Sequence, residues 1–314
     1  MPAKVLVSTE NMPYADWLEY RKQGIGGSDA SVVCHISRYK SPVELWLEKT
    51  NQLQAQEAGE AAYWGTQLEP FVRAEFTKRT GIEVSCPKQL LQSEEHPFML
   101  ANLDGIYKHP DLGPIIFEAK TASAYKAGEW EGTIPDEYQL QIQHYMAVTG
   151  YAGAYIAVLI GGNTFKWRFV ERDEELISML IELESAFWDH VLDGTPPPLD
   201  GSDASANFLS RRFPGSTPNS HIALPATAIA LLAQYDEACE RLEIVTEQKQ
   251  QAENLLKEMM GENEIGTAGD RIVTWKSVSQ ERLDSKTLKA EHPALYKQYA
   301  NKTSYRRFTI KAAS

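Results

Sequence analysis

The sequence predicts an α/β fold in which a mixed sheet is flanked by helices. The chain has 314 residues, of which 43% are hydrophobic and 24% are charged. This composition is typical of a folded globular protein and argues against a disordered or fibrous one. Between residues 66 and 193, helical and strand periodicities alternate and glycine or proline stands at the boundaries. The predicted order is αββαββα, followed by a helical, coiled-coil-like extension and a small basic tail.

The first half of this core consists of a helix and a hairpin. Apolar residues recur at helical spacing over residues 66–80, and Gly81 suits the C-terminal end of a helix. Residues 99–107 and 115–121 are short apolar runs on either side of a turn-rich segment. This arrangement predicts a β-hairpin.

The second half repeats the pattern. A helix is predicted over residues 135–149, because proline opens the segment and glycine follows it. Strands are predicted over residues 151–160 and 164–170, where apolar runs flank a Gly-Gly turn. An amphipathic helix over residues 173–193 completes the core.

A composition break divides the chain. Residues 196–222 are rich in Pro, Gly and Ser, which predicts a linker. It would join a first domain, residues 1–195, to a C-terminal part, residues 223–314.

The C-terminal part combines a helical repeat with a basic end. Apolar residues from Leu231 to Met259 alternate at spacings of four and three, with Lys249 as the charged position, which predicts a long helix packed lengthwise on another helix. Strands are predicted over residues 270–277 and 305–311. The last 44 residues contain 10 Lys and Arg against 3 Asp and Glu. This excess could contact DNA phosphates or simply balance the acidic body.

Overall charge and cysteine content exclude several classes of protein. The net charge of −12 argues against non-specific coating of nucleic acid, although a local basic groove stays open. The three cysteines are far apart, so neither a disulfide framework nor a four-cysteine metal site is expected. Without an apolar run of about 18 residues or an apolar N-terminal segment, we expect a cytoplasmic protein with no membrane association.

The chemical signal is strongest at the predicted hairpin. With the turn centred on Asp111, Asp104 and Glu118 face each other at roughly 5 Å between Cβ atoms. Lys120 is two residues further along the strand and projects to the same side as Glu118. Two carboxylates in this position suit Mg²⁺, and a neighbouring ammonium group suits phosphodiester hydrolysis. The alternative is an ordinary pair of charged residues on a solvent-facing strand, since this spacing also arises by chance.

Six motifs within residues 14–192 are more specific than this spacing alone. They are Arg21 with residues 24–30, Ser41-Pro42 with Leu45-Trp46, residues 64–70, residues 101–105, residues 118–121 and residues 138–143. In this order they resemble the YqaJ-type viral recombinase family, the phage lambda exonuclease branch of the PD-(D/E)XK nucleases.

The resemblance implies a restriction-endonuclease-like fold and a defined activity. The expected activity is Mg²⁺-dependent 5′→3′ digestion of one strand at linear double-stranded DNA ends, with Mn²⁺ able to substitute. The 3′ overhang would feed a single-strand annealing recombinase in homologous recombination, and a ring-shaped homotrimer is expected. An endonuclease or nickase with the same chemistry and a non-catalytic DNA-end-binding scaffold are the alternatives.

The resemblance also implies roles for the acidic residues and the lysine. Asp104 and Glu118 would bind the metal with the main-chain carbonyl of Ala119, and Lys120 would position and activate the attacking water. Glu69 would complete the acidic cluster and serve a second metal, directly or through water. Alternatively, Glu69 forms an ordinary helical pair with the arginine four residues later.

Three further residues would contact DNA and one would orient the catalytic groups. Gln141 would orient Lys120 or the water, whereas Arg21 and Ser28 would receive the 5′-phosphate, and Tyr138 would bind DNA beside them. The alternatives are a solvated helix face for Gln141, an exposed charge for Arg21 and a helix cap for Ser28.

The aromatic residues near the site are predicted to differ in exposure. Trp46 and Trp64 are expected to be buried anchors. Trp130 and Tyr125 are expected in an exposed loop over residues 123–133, because that segment is polar and contains glycine.

Overall fold

The computed structural model describes residues 3–53, 59–301 and 305–311. The chain divides into two compact units, Met1–Phe213 and Pro214–Ser314. The candidate site residues all belong to the first unit.

The first unit contains helices and strands that alternate along the chain. Its helices are α1 (Tyr14–Arg21), α2 (Gly27–Val33), α3 (Pro42–Lys49), α4 (Glu60–Thr80), α5 (Asp136–Thr149), α6 (Glu174–Leu192) and α7 (Asp203–Arg212), with a 3-10 helix over Ala124–Trp130. Its strands are β1 (Lys4–Ser8), β2 (Ile25–Gly26), β3 (Gln89–Gln92), β4 (Met99–Asn102), β5 (Gly105–His109), β6 (Gly113–Ala122), β7 (Gly153–Ile160) and β8 (Thr164–Glu171).

The strands form two mixed sheets flanked by helices, which confirms the predicted fold class. One sheet has the order β5-β6-β7-β8, and the other has the order β1-β3-β4-β2. In the first sheet β6 and β7 run parallel, while the outer pairs are antiparallel. A parallel pair needs a crossover, and α5 lies in the connection between β6 and β7.

The hairpin of β5 and β6 has the predicted register. Gly105 pairs with Phe117 and Ile106 pairs with Ile116, so the turn centres on Asp111. The longer predicted strand over residues 99–107 is wrong as one element. It divides after Asn102 into β4 and β5, which belong to different sheets.

Helix ends follow the glycines that the sequence places there. Gly81 ends α4 with φ of 73° and Gly150 ends α5 with φ of 72°. This left-handed conformation favours glycine because it has no Cβ. The main core lies between α5 and the sheets, where Ile116, Ile142 and Met146 are fully buried.

Part of the segment predicted as a linker is helical. Within residues 196–222, α7 begins after Ser202, whose hydroxyl accepts a hydrogen bond from the Ser205 amide. Phe208 on this helix is buried against the cluster that includes Trp46 and Phe187. The first unit therefore extends past residue 195 and includes α7.

The second unit contains one long helix and several short elements. These are α8 (Thr227–Met260), β9 (Ile265–Ala268), β10 (Arg271–Thr274), α9 (Ser285–Glu291) and α10 (Pro293–Tyr299). The long helix is as predicted, but its apolar seam is exposed in this structure, with Met259 81% accessible. Among the described residues of this unit, no helix of matching length lies along it.

The strand predicted over residues 305–311 is wrong. Those residues have no regular structure, and β10 pairs instead with β9 in an antiparallel hairpin. Gly269, at φ of 60°, lies in the two-residue turn between them. A short turn with glycine favours pairing of adjacent strands, a signal that the sequence interpretation missed. None of the described helices is both long enough and apolar enough to cross a membrane.

Candidate active site

Two carboxylates come together where β5 begins opposite β6. Asp104 immediately precedes β5, and its Oδ2 accepts a hydrogen bond of 2.9 Å from the Ala119 amide. Glu118 lies on β6, and only 2% of its side chain is exposed. The strand alternates, so Phe117 and Ala119 pack toward α4, whereas Glu118 and Lys120 face α5.

Lys120 joins the carboxylates to α5. Its Nζ lies 2.7 Å from Glu118 Oε1 and donates a 2.9 Å hydrogen bond to Gln141 Oε1. The same ammonium group lies 4.8 Å from the ring centre of Tyr138, within the range of a cation–π interaction. These contacts hold the ammonium beside the carboxylates.

Gln141 is buried and connects three groups of the site. Its Nε2 donates to Glu118 Oε1 at 2.7 Å and to the Tyr145 hydroxyl at 3.1 Å. The alternative of a solvated helix face is therefore wrong for Gln141. Tyr145 was not predicted as a site residue, although its position one helical turn after Gln141 places it on the same face of α5.

The close packing of α2 on α5 depends on a glycine. A Cβ at Gly27 would lie 2.5 Å from Tyr145 Cε1 and 3.0 Å from Gln141 Cγ. A distance of 2.5 Å is too short for two carbon atoms that are not bonded. The two helices can therefore pack this closely only because residue 27 has no side chain. The glycine-rich segment thereby brings the start of α2 against the residues that hold Lys120 and Glu118.

Glu69 reaches the same cleft from α4. Arg73 Nη1 donates to Glu69 Oε1 at 3.2 Å and to the Asp104 main-chain oxygen at 2.6 Å. The helical pair considered from the sequence is therefore present. It is partly buried and ties Glu69 to the backbone of Asp104, so the two interpretations of Glu69 are compatible.

Burial and mutual repulsion raise the pKa values of these acids. Burial, followed by the nearby Asp104, raises the pKa of Glu118 to about 8. The same two causes raise the pKa of Glu69 to about 7, and burial raises the pKa of Asp104. Burial alone would lower the pKa of Lys120, but Glu118 and Asp104 raise it above its ordinary value. Because these acids lie close together, the site is stabilised when a cation binds there or when two of the acids share a proton.

The donor set fits a hard divalent cation. Glu118 Oε2 is buried and has no hydrogen-bond partner among the described residues. An unpartnered buried carboxylate oxygen is costly unless it has a ligand. Among the residues that the structure describes, no group of three or more His, Cys, Asp or Glu side chains is arranged to hold a metal. A cation here would therefore rely on two carboxylates and on water, which suits Mg²⁺.

A single cleft of about 920 Å³ includes these groups and the predicted phosphate-binding residues. Arg21, at the end of α1, donates from Nη2 to Ser28 Oγ at 2.9 Å and to Asp29 Oδ1 at 3.0 Å. Tyr138 lines the same cleft beside Lys120. The structure thus brings every sequence-predicted site residue to one cleft, and it adds Asp29 and Tyr145.

The aromatic predictions hold in part. Tyr125 is fully exposed and Trp46 is buried, as predicted. Trp130 is only 4% exposed, because the 3-10 helix returns it onto Tyr138, at 5.5 Å between ring centres. Trp64 is 51% exposed, so its prediction as a buried anchor is wrong.

His144 anchors α5 to α6 and β4. Its Nδ1 lies 2.8 Å from Glu184 Oε1 on α6, and its Nε2 lies 2.9 Å from the Leu100 main-chain oxygen. Both side chains are fully buried. Burial alone would lower the pKa of His144, but Glu184 raises it above its ordinary value. The pair fixes the helix that positions Gln141.

Comparison with known proteins agrees with the ordered motifs. Residues 16–152 match the model of the YqaJ-like viral recombinase domain. The chain is 41% identical to the uncharacterized protein YqaJ of Bacillus subtilis strain 168, over 99% of this chain and 98% of that protein.

Solved structures with partial similarity include two exonucleases. An alkaline exonuclease from Laribacter hongkongensis is 23% identical with a TM-score of 0.48, covering 63% of this chain and 97% of its own. A phage-related exonuclease from Haemophilus somnus is 14% identical with a TM-score of 0.43, covering 57% of this chain and 99% of its own. The extended match to the Bacillus protein confirms the resemblance drawn from the motifs: the chain belongs to the YqaJ-like viral recombinase family.

Proposed function

We propose that this protein is a divalent-metal-dependent deoxyribonuclease that degrades linear double-stranded DNA from its 5′ ends. One observation carries the proposal. Glu118, Lys120 and Gln141 form a hydrogen-bonded group in a cleft, and Asp104 accepts a hydrogen bond from the neighbouring Ala119 amide. Glu118 retains a buried oxygen with no partner among the described residues. Membership of the YqaJ-like viral recombinase family supports the same activity.

The role proposed for each side chain is supported by its position in the cleft. Asp104, Glu118 and the main-chain carbonyl of Ala119 would hold Mg²⁺, or Mn²⁺ in its place, and Glu69 would serve a second ion or a metal-bound water. The bound ion would neutralise phosphate charge and lower the pKa of a water molecule. Lys120 would orient the attacking water and stabilise the negative charge that develops on the phosphate.

Gln141 would act by holding its neighbours. Its amide nitrogen binds Glu118, and its carbonyl oxygen accepts from Lys120, so both are fixed relative to each other. Groups fixed before the reaction lower the cost of organising the transition state. Tyr138, which stacks on Trp130 and lies beside Lys120, would contact the DNA strand.

End selection would depend on Arg21 and Ser28. Both line the same cleft as the carboxylates, and a guanidinium group suits recognition of a 5′-phosphate. Digestion from 5′ ends would leave 3′ single-stranded overhangs for a single-strand annealing recombinase. We further propose a ring-shaped homotrimer and a cytoplasmic location.

The test is digestion of linear duplex DNA labelled separately at its 5′ and 3′ ends, with millimolar Mg²⁺. We expect early release of the 5′ label, retention of the 3′ label and no cleavage of covalently closed circular duplex. Loss of the 3′ label first would reverse the polarity. Cleavage of the circle would favour an endonuclease or nickase. Tight end binding without hydrolysis in Mg²⁺ or Mn²⁺ would favour a scaffold.

A further inference from the structure

The ends of three helices meet around a buried group of charges at one side of the cleft. Arg21 ends α1, Lys49 ends α3, and Asp29 lies in the first turn of α2. Lys49 and Asp29 have side chains only 4% and 6% exposed, and their charged groups are 2.8 Å apart. Arg21 retains 26% exposure, so it is the member of the group that solvent and ligands reach.

Asp29 is held in place by several donors. Its Oδ2 accepts from Lys49 Nζ at 2.8 Å and from the Gly26 amide at 3.1 Å, while its Oδ1 accepts from Arg21 Nη2 at 3.0 Å. Lys49 Nζ also donates to the Arg21 main-chain oxygen at 2.8 Å. Burial alone would raise the pKa of Asp29, but Lys49 and Arg21 hold it well below its usual range.

The geometry leaves one edge of the Arg21 guanidinium for a ligand. Nη2 is occupied by Asp29 and Ser28, whereas Nε and Nη1 donate no hydrogen bond to the described residues. The guanidinium carbon lies 5.0 Å from the ring centre of Trp17, which restrains its plane. Arg21 and Lys49 together carry one more positive charge than Asp29 neutralises, so the group as a whole favours an anion.

We propose that Asp29 and Lys49 are positioning residues that fix the Arg21 guanidinium and thereby make the enzyme selective for DNA strands that end in a 5′-phosphate. The inference rests on the proposed function and adds two residues to it. A guanidinium on an unrestrained side chain loses rotamer freedom when it binds. A guanidinium that is already held by a buried carboxylate loses less, so phosphate binding is stronger.

The test compares initial rates on linear duplexes that differ only in a 5′-phosphate or a 5′-hydroxyl end. The measured quantity is the ratio of the two rates for wild type, Asp29→Asn and Lys49→Met. We expect wild type to prefer the phosphorylated end. In each variant the ratio should be about tenfold lower, as is typical when a charge-assisted hydrogen bond is lost. A merely structural role would slow both substrates equally and leave the ratio unchanged, which would overturn the inference.

A variant cycle separates action through Arg21 from independent action. Arg21→Gln should lower the ratio, and adding Asp29→Asn to it should lower the ratio no further. A further drop in the double variant would contradict positioning through Arg21. Glu44→Gln is the matched control, because it breaks another buried carboxylate–arginine pair, to Arg211 at 2.7 Å. Glu44→Gln should lower the melting temperature but leave the ratio of the two rates unchanged. A changed ratio in this control would mean that the effect is not specific to Asp29 and Lys49.

Folding and activity are checked separately. If circular dichroism shows that neither Asp29→Asn nor Lys49→Met folds, Arg21→Lys replaces them, because a single ammonium nitrogen cannot bind Asp29 and Ser28 and also present a separate N–H edge to a phosphate. Its ratio should fall although the charge is kept, and an unchanged ratio would overturn the inference. A wild type that hydrolyses both ends equally would also overturn it while the nuclease proposal stands. If no DNA is hydrolysed, the proposed function fails, and anisotropy of the two labelled duplexes then decides the inference through binding alone.

Discussion

Replacing Glu118 with glutamine should change how the stability of the metal-free protein depends on pH. Glu118 is buried, and its pKa is raised from 4.5 to about 8 in the folded chain. Between these two values the folded chain binds more protons than the unfolded chain, so the unfolding free energy falls as pH rises. Glutamine has nearly the same shape and does not ionise, so Glu118→Gln removes this contribution.

The size of the effect follows from the same values. At about 1.4 kcal/mol per pH unit, the interval from pH 5.5 to about 8 amounts to about 3 kcal/mol. The assay is urea unfolding in EDTA at pH 5.5, 7 and 8.5, followed by the fluorescence of buried tryptophans such as Trp46 and Trp130. The stability of Glu118→Gln relative to wild type should increase by about 3 kcal/mol across this range.

Asp29→Asn is the matched control. The pKa of Asp29 is held well below 3.8 in the folded chain, so its contribution is present above pH 3.8 and is lost only as pH falls through the folded value. Between pH 5.5 and 8.5 this variant should be less stable than wild type by a constant amount. Mn²⁺ at pH 8.5 should stabilise wild type and have little effect on Glu118→Gln. A pH-independent difference between wild type and Glu118→Gln would refute the reasoning.

Three further outcomes are expected. Lys120→Met should lower turnover by about 10²–10³-fold with little change in DNA-end binding, because the ammonium acts mainly on the transition state. Equal losses of turnover and of DNA-end binding would contradict this role. Gln141→Leu should lower kcat by about tenfold or more with KM nearly unchanged, whereas Gln139→Leu on the same helix should have little effect in the same steady-state assay. Phe208→Ala should lower the unfolding free energy by about 3–5 kcal/mol in urea titration, whereas the half-exposed Phe213→Ala should cost much less; similar small losses would show that α7 is not part of the folded unit.

Local sequence patterns were sufficient to predict the hairpin at the centre of the site. The two-residue period of a strand and the turn at Asp111 determine that Asp104 lies opposite Glu118, and the structure has this register. Gln141 could be placed on a helix but not in contact with Lys120, because that contact depends on how α5 crosses the sheet. The division of residues 99–107 into two strands also depends on which sheet each half joins.

Contacts between distant segments could not be read from the sequence. Asp29, Lys49 and Arg21 come from three helices, and no periodicity within one helix indicates that their ends meet. The polar segment before Trp130 suggested exposure, yet the ring is buried because it stacks on Tyr138 from the following helix. In α7, the aromatic Phe208 joins the core although the surrounding segment is rich in proline, glycine and serine.

The central claim is that Asp104 and Glu118 bind a divalent cation beside Lys120. The most direct measurement is anomalous X-ray diffraction from crystals soaked in Mn²⁺. We expect a peak within coordination distance of both carboxylates and the Ala119 main-chain oxygen. A well-ordered cleft with no peak there, or a peak only at other residues, would contradict the account.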